Sequence, residues 1–279
     1  MEKKTLLTVK NLHVSYDTPK GVVEAVRGVS FELGQERLGI VGESGSGKSQ
    51  TGRAILRLTA SRSRVRAECV EFDGIDLLHA SESTMRGIRG NRISMIMQDP
   101  QYSLNPVMTV GEQIAEAYRI HSSAGRKKAR QHTIEMLNTV RIREPEKVYH
   151  LYPHEVSGGM GQRIMIAMML IPEPDLIIAD EPTSALDVTV QLQVLALLDD
   201  MVRERGMGLI FISHDLQLVA SFCDRVLVMY GGRVMEVLEA KNLENAQHAY
   251  TRGLLNCLPK LDGSHEILPV LKRDSSWLE

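Results

Sequence analysis

Residues 37 to 51 read RLGIVGESGSGKSQT. A short apolar strand, RLGIV, runs into a glycine-rich loop, GESGSGKS (42–49), and SQTGRAILRL after it reads as a helix. Strand, loop and helix in that order are the context in which this spacing of Gly, Lys and Ser is a phosphate loop. Gly42, Gly45 and Gly47 let the backbone curl until its N–H groups face phosphate oxygens, with Ser44 inside the same cradle. The helix N-terminus adds its dipole. Lys48 is expected to neutralise the β- and γ-phosphates and Ser49 to ligate Mg2+. The fold class that follows is α/β, with a nucleotide-binding core.

Working outward, LIIADEP (176–182) is an apolar strand that ends in two acids. A buried strand of this kind brings Asp180 to the phosphate end of a sheet, where it can hold the Mg2+ shell. Glu181, one residue on, can polarise an attacking water or accept its proton. Gln98 ends the strand ISMIMQ and can reach both Mg2+ and water. His214 ends the strand LIFIS. A second glycine loop, EVSGGMGQR (155–163), stands before the helical run IMIAMML. A soluble nucleotide-binding chain needs one anion loop, and this one has two.

The rest of the chain frames these loops. Residues 6 to 41 alternate apolar and polar as strands, and 68–77 reads as a hairpin turning at Asp73-Gly74. Helices are expected over Val110 to His121 and Arg126 to Val140, and in QLQVLALLDDMVRERG. VLVMYGGRVMEV (226–237) reads as a hairpin around Gly231-Gly232, and a helix is expected near 247 to 258. Arg62, Arg64 and Arg66 read as a surface loop, and Arg126, Lys127, Lys128 and Arg130 as a solvated helix face. Met160, Met165, Met168 and Met169 read as core filling at helical spacing, not a metal path.

Composition removes several classes. Net charge is −2 over 279 residues, so no basic footprint points to nucleic acid. The three cysteines are scattered and the nine histidines form no ligand spacing, which suits a reducing compartment and no structural metal. The first ten residues, MEKKTLLTVK, show no signal-peptide core, and Ile164 to Ile171 is too short to span a bilayer.

In order along the chain, the phosphate loop, Gln98, EVSGGMGQR, Asp180-Glu181, SALD (184–187) and His214 resemble the ATP-binding subunit of an ABC transporter from about residue 6 to 260. The resemblance implies a phosphate-loop core of mixed sheet and helices, an antiparallel β subdomain and a helical subdomain. It implies one ATPase domain over 1–259, with the core at about 5–98 and 172–240, the helical part at about 99–171, and a short tail, 260–279. It accounts for the second loop: Ser157, Gly158, Gly159 and Met160 close over the ATP held by a partner subunit. Tyr16 stacks on adenine. Ser184, Ala185, Leu186 and Asp187 cross the dimer interface, and His214 contacts the γ-phosphate.

Val156 and Met160 stand where the family usually has Leu and Gln. The Met form is similar to the branch that imports peptides, nickel and metal chelates, as are IMQDPQYSLNPVMTVGEQI (96–114) and HAYTRGLLNCLP (248–259). Gly161 departs from that branch, which has Arg there. The resemblance implies ATP and Mg2+ as ligands and, because the branch's cysteine cluster is missing, no iron–sulfur cluster. It implies a second, different ATPase as partner, two transmembrane permease subunits and, indirectly, an extracytoplasmic binding protein. The place of work would be the cytoplasmic face of the inner membrane, with Leu104, Val107 and Met108 offered to the permease. The alternative is a soluble ABC ATPase of a cofactor-assembly system.

Overall fold

Strand β1 (Leu7–Thr18) shows how the sequence pattern becomes structure. Leu7, Val9, Leu12 and Val14 are buried, and the alternation slips once, at Asn11, which has φ 50. The extra residue is a bulge. The computed structural model describes residues 5–98, 103–184, 186–258, 274 and 277. Its chain divides into two units, one made of 1–79 and 211–279, the other of 80–210.

In the first unit β1 pairs antiparallel with β2 (Gly21–Leu33), β4 (Ser63–Arg66) and β5 (Cys69–Phe72), and β5 turns at Asp73-Gly74 into β6 (Ile75–Asp76). Strand β4 corrects the surface-loop reading of this arginine group. Arg64 and Arg66 lie in the strand and pair with Asp17 and Glu24, while Arg62 stays in the preceding turn. A strand whose outward positions are arginines carries no apolar alternation to read. The same unit holds β3 (Arg37–Val41), parallel to β10 (Arg225–Tyr230), which turns back as β11 (Arg233–Glu239). Helix α1 (Lys48–Ile55) follows β3. It stops because Arg57 takes φ 54 while Arg57 and Leu58 N–H groups close on the carbonyls of Ala54 and Arg53. Helix α8 (Leu216–Phe222) sits on β3 at Gly39, where a Cβ would come 2.2 Å from Val219. Helix α9 (Ala249–Asn256) follows β11.

The second unit opens with α2 (Glu82–Ile88), capped by Ser81. It continues with strands β7 (Ile93–Ile96), β8 (Leu176–Asp180) and β9 (Gly208–Ile212) in the order β9-β8-β7, the division between units falling within β9. Between β7 and β8 come α3 (Val110–Ile120), α4 (Arg126–Thr139), the short α5 (Pro145–Val148) and α6 (Gly158–Leu170). Helix α7 (Val188–Arg205) starts well before the expected Gln191, because Asp187 caps it by accepting from Val190 N–H at 3.0 Å. Gly111 on α3 lies against the Tyr149 ring, where a Cβ would come within 2.1 Å. Among the described residues no helix is long and apolar enough to cross a membrane.

Candidate functional site

The phosphate loop is shaped by positions that only glycine can occupy. Gly42 has φ 151, and a Cβ there would meet the Met229 carbonyl oxygen at 2.1 Å. Gly47 has φ 96, and a Cβ would meet the Ala25 oxygen at 2.3 Å. At Gly45, φ 81 alone sets the requirement, since nothing lies within 4 Å. Gly47 caps α1 in the left-handed conformation with no side-chain cap and no acid in the first turn. The N–H groups of that turn face out of the helix end and are the donors an anion takes. Lys48 is buried and donates Nζ to the carbonyls of Gly42 at 2.8 Å and Glu43 at 2.9 Å. Ser49 is half-buried on the first turn, and Ser44 is exposed. Ser46 was not singled out by its sequence. Its Oγ is buried without a hydrogen-bond partner, inside the loop.

Tyr16 is half-buried on β1, and its hydroxyl donates to Gln50 Oε1 on α1, which ties the ring to the helix that starts at Lys48. Burial raises its pKa, with Arg53 opposing. His214 is exposed two residues past the end of β9, after the buried Ser213. Beside it, Asp215 caps α8 by accepting from Leu218 N–H at 3.0 Å.

In the second unit the parallel register of β7 and β8 sets Ile96 beside Ala179. Two residues past that pair, beyond the end of each strand, stand Gln98 and Glu181, and Gln98 Nε2 donates to Glu181 Oε2 at 3.1 Å. Asp180 is the buried last residue of β8. Glu181 turns the chain with φ 48, held by Ser184 N–H and Oγ, which both donate to its carbonyl at 3.3 and 3.1 Å. A non-glycine residue at positive φ is strained and is found where the surrounding structure enforces it.

The second glycine loop opens α6. Ser157 caps the helix, its Oγ accepting from Met160 N–H at 3.3 Å. Its glycines differ from those of the phosphate loop. Gly158 has nothing within 4 Å of a built Cβ, and Gly159 has only Leu186 at 3.8 Å. Neither takes a positive φ. The chain's own backbone and packing therefore do not require glycine here. Gly161 is buried in the first turns of α6. Next to it, Gln162 was not anticipated as a site residue. It is buried and donates Nε2 to the Pro182 carbonyl at 2.7 Å, one residue past Glu181. Leu186 and Asp187 lead into α7, with Leu186 N–H donating to the Thr183 carbonyl at 3.1 Å; Ala185 lies outside the described residues. Of the apolar group expected to face a permease, Leu104 is buried, whereas Val107 is exposed.

A sequence profile of the ABC transporter family matches residues 26–184. The chain belongs to the ABC transporter family. This ABC protein is 47% identical over 268 residues to the oligopeptide transport ATP-binding protein OppD of Haemophilus influenzae, a match spanning 95% of this chain and 83% of that one. It is 48% identical over 274 residues to the dipeptide transport ATP-binding protein DppD of Bacillus subtilis, spanning 97% of this chain and 81% of that one. A dimeric ATP-binding cassette solved in a post-hydrolysis state with ADP and Pi superposes with a TM-score of 0.77 at 25% identity, over 85% of this chain and 99% of that one. The ABC fold expected from sequence is the fold observed, and the activity of this ABC protein is ATP hydrolysis.

Proposed function

We propose that this ABC protein is the energy-coupling ATPase of a bacterial peptide importer, working at the cytoplasmic face of the cell membrane. Of the substrates expected for its branch, the names of its relatives favour peptides over nickel or metal chelates. The observation that carries the head-to-tail reading is the contrast between its two glycine loops. Gly42 and Gly47 are demanded by the chain itself, whereas Gly158 and Gly159 leave space that the chain does not use. A ligand held by another subunit is what needs that space.

In this reading the N–H groups at the start of α1 bind phosphate, and the Lys48 ammonium, positioned by two loop carbonyls, meets phosphate oxygens. Tyr16 offers its ring to adenine. Glu181 takes a proton from the attacking water, Gln98 orients that carboxylate, and His214 meets the γ-phosphate. Ser49, Gln98 and Asp180 offer hydroxyl, amide and carboxylate oxygens, the hard donor set that suits Mg2+. Held by these residues, Mg2+ would supply positive charge to offset the negative charge that develops on phosphate. Ser157, Gly158, Gly159 and Met160 close over the partner's nucleotide through hydroxyl and N–H donors. Ser184 to Asp187 cross to the partner. Closure on ATP and opening after hydrolysis drive two permease subunits between access states, because ATP binds the closed pair more tightly than the open one. The residues near 99–171 form the lobe that receives the permease.

The test is affinity purification of the tagged chain from detergent-solubilised native membranes, with the bound chains identified. Two membrane subunits and a second ATPase, encoded beside a peptide-binding protein, are expected. Recovery from the soluble fraction alone, with no membrane chain, would replace this reading with the cofactor-assembly alternative.

A further inference from the structure

The peptide unit between Gly42 and Glu43 is held from both sides. Its carbonyl accepts from Lys48 Nζ at 2.8 Å, and its N–H donates to the Tyr250 hydroxyl at 3.2 Å. Tyr250 lies on α9, some two hundred residues downstream, and is fully buried. Its helix start is fixed in turn. Glu236 on β11 accepts from Gln247 N–H at 2.7 Å and His248 N–H at 3.2 Å, and His248 Nδ1 accepts from Tyr250 N–H at 3.1 Å. The Tyr250 ring packs on Tyr230 of β10 at 4.6 Å. Trp277 closes over both rings, edge-on, at 5.6 Å from Tyr250 and 5.7 Å from Tyr230. Met229, adjacent to Tyr230, presents the carbonyl against which Gly42 is packed.

We infer that Tyr250 is a positioning residue of the nucleotide site, which orients the Gly42–Glu43 peptide and through it the Lys48 ammonium, and that Trp277 holds the Tyr250 ring in place. The physical reason is that one peptide plane carries both bonds. Rotating it to release Tyr250 swings the Gly42 carbonyl away from Lys48. The geometry is over-determined on the Gly42 side, where the backbone has no slack for a Cβ. The hydroxyl is therefore what fixes the remaining rotation. Residues far beyond the ATP-binding motifs thus set affinity for nucleotide, and the only tryptophan of the chain sits where it reports on the phosphate loop. This inference rests on the proposed reading of residues 42–49 as the nucleotide site.

The experiment is equilibrium titration of the purified full chain with MgADP, read by calorimetry and by Trp277 emission. Wild type is compared with Tyr250→Phe, Trp277→Ala and Lys48→Ala. Tyr250→Phe keeps the ring and removes one hydrogen bond, so its Kd should rise about two- to tenfold, with the melting temperature of the nucleotide-free chain little changed. Trp277→Ala should move Kd in the same direction without touching the hydroxyl. MgADP should shift Trp277 emission in the wild type, and less in Tyr250→Phe. An unchanged Kd in Tyr250→Phe and Trp277→Ala, with binding lost in Lys48→Ala, would overturn the inference and leave the site intact. A lowered melting temperature with unchanged Kd would make the cluster merely structural and overturn it too. Full binding by Lys48→Ala would overturn the reading of the site itself.

Discussion

Gln98 donates its side-chain amide to the carboxylate of Glu181 at 3.1 Å, just past the ends of two parallel strands whose last register pair is Ile96 and Ala179. The pair converts a sheet register into a fixed direction for one carboxylate, and the positive φ of Glu181 shows that the chain is bent to present it. Glu181→Gln removes the proton acceptor and keeps the shape. ATP turnover should fall about a hundred- to ten-thousandfold while ATP remains bound in filter or dialysis assays. Gln98→Ala leaves the carboxylate without its orienting partner, and kcat should fall between about ten- and a hundredfold with KM for ATP changed less. Near-normal turnover in Glu181→Gln would remove it from the catalytic role.

Gln162 links the second glycine loop to the residue that follows Glu181. Its Nε2 bonds the Pro182 carbonyl, while its Oε1 is buried without a partner. In Gln162→Leu the carbonyl loses its donor, but the orphaned Oε1 also disappears. The net cost should be modest, about 1–2 kcal/mol, read as a small drop in melting temperature. Turnover should fall further than that loss of folded protein explains, because the turn carrying Glu181 is no longer anchored to α6. Equal, proportionate losses of stability and rate would show that the bond only supports the fold.

What the sequence revealed, and what it did not, divides along physical lines. The phosphate loop, the strand ending in Asp180-Glu181 and the hairpins at Asp73-Gly74 and Gly231-Gly232 are local features. Their glycines sit where φ must be positive, at 82 for Gly74 and 86 for Gly232, and local demands leave local signals. The Gln98–Glu181 bond depends on strand register, which two separate apolar runs do not encode. Helix α2 is short and rests on a single cap, and strand β4 shows arginines outward, so neither carries enough periodicity to read. Tyr250 contacts Glu43 from the far end of the chain, and nothing in HAYTRGLL distinguishes a tyrosine that reaches a phosphate loop from one that fills a core.

Glu236 gives a pH dependence. Its burial favours the neutral acid, yet the N–H groups of Gln247 and His248 that it accepts hold its carboxyl below the usual glutamate range. A carboxylate with a depressed folded pKa stabilises the fold fully above its unfolded pKa. That contribution is lost as pH falls through the folded value. Glu236→Gln should therefore melt below wild type at pH 7, and the gap should close as pH falls below the ordinary glutamate range. The start of α9 should lose amide protection first in hydrogen exchange. A gap independent of pH would assign the effect to shape rather than charge.

The two glycine loops make opposite predictions for the same substitution. Gly42→Ala places a Cβ 2.1 Å from the Met229 carbonyl at a φ that alanine avoids, so the loop must distort. Melting temperature and nucleotide binding should fall together. Gly158→Ala meets nothing within 4 Å at ordinary backbone angles, and alanine at the start of a helix gains up to about 1 kcal/mol over glycine. The isolated chain should melt at the same temperature or slightly higher and bind MgADP as before. In the assembled transporter, however, the added methyl enters the space that the partner's γ-phosphate is to occupy, and ATP turnover should fall at least tenfold (about 1.4 kcal/mol of lost transition-state stabilisation). Those two outcomes together separate a loop that serves its own nucleotide from one that serves a neighbour's. Should Gly158→Ala weaken MgADP binding to the isolated chain as Gly42→Ala does, the second loop acts in its own site and the head-to-tail reading fails.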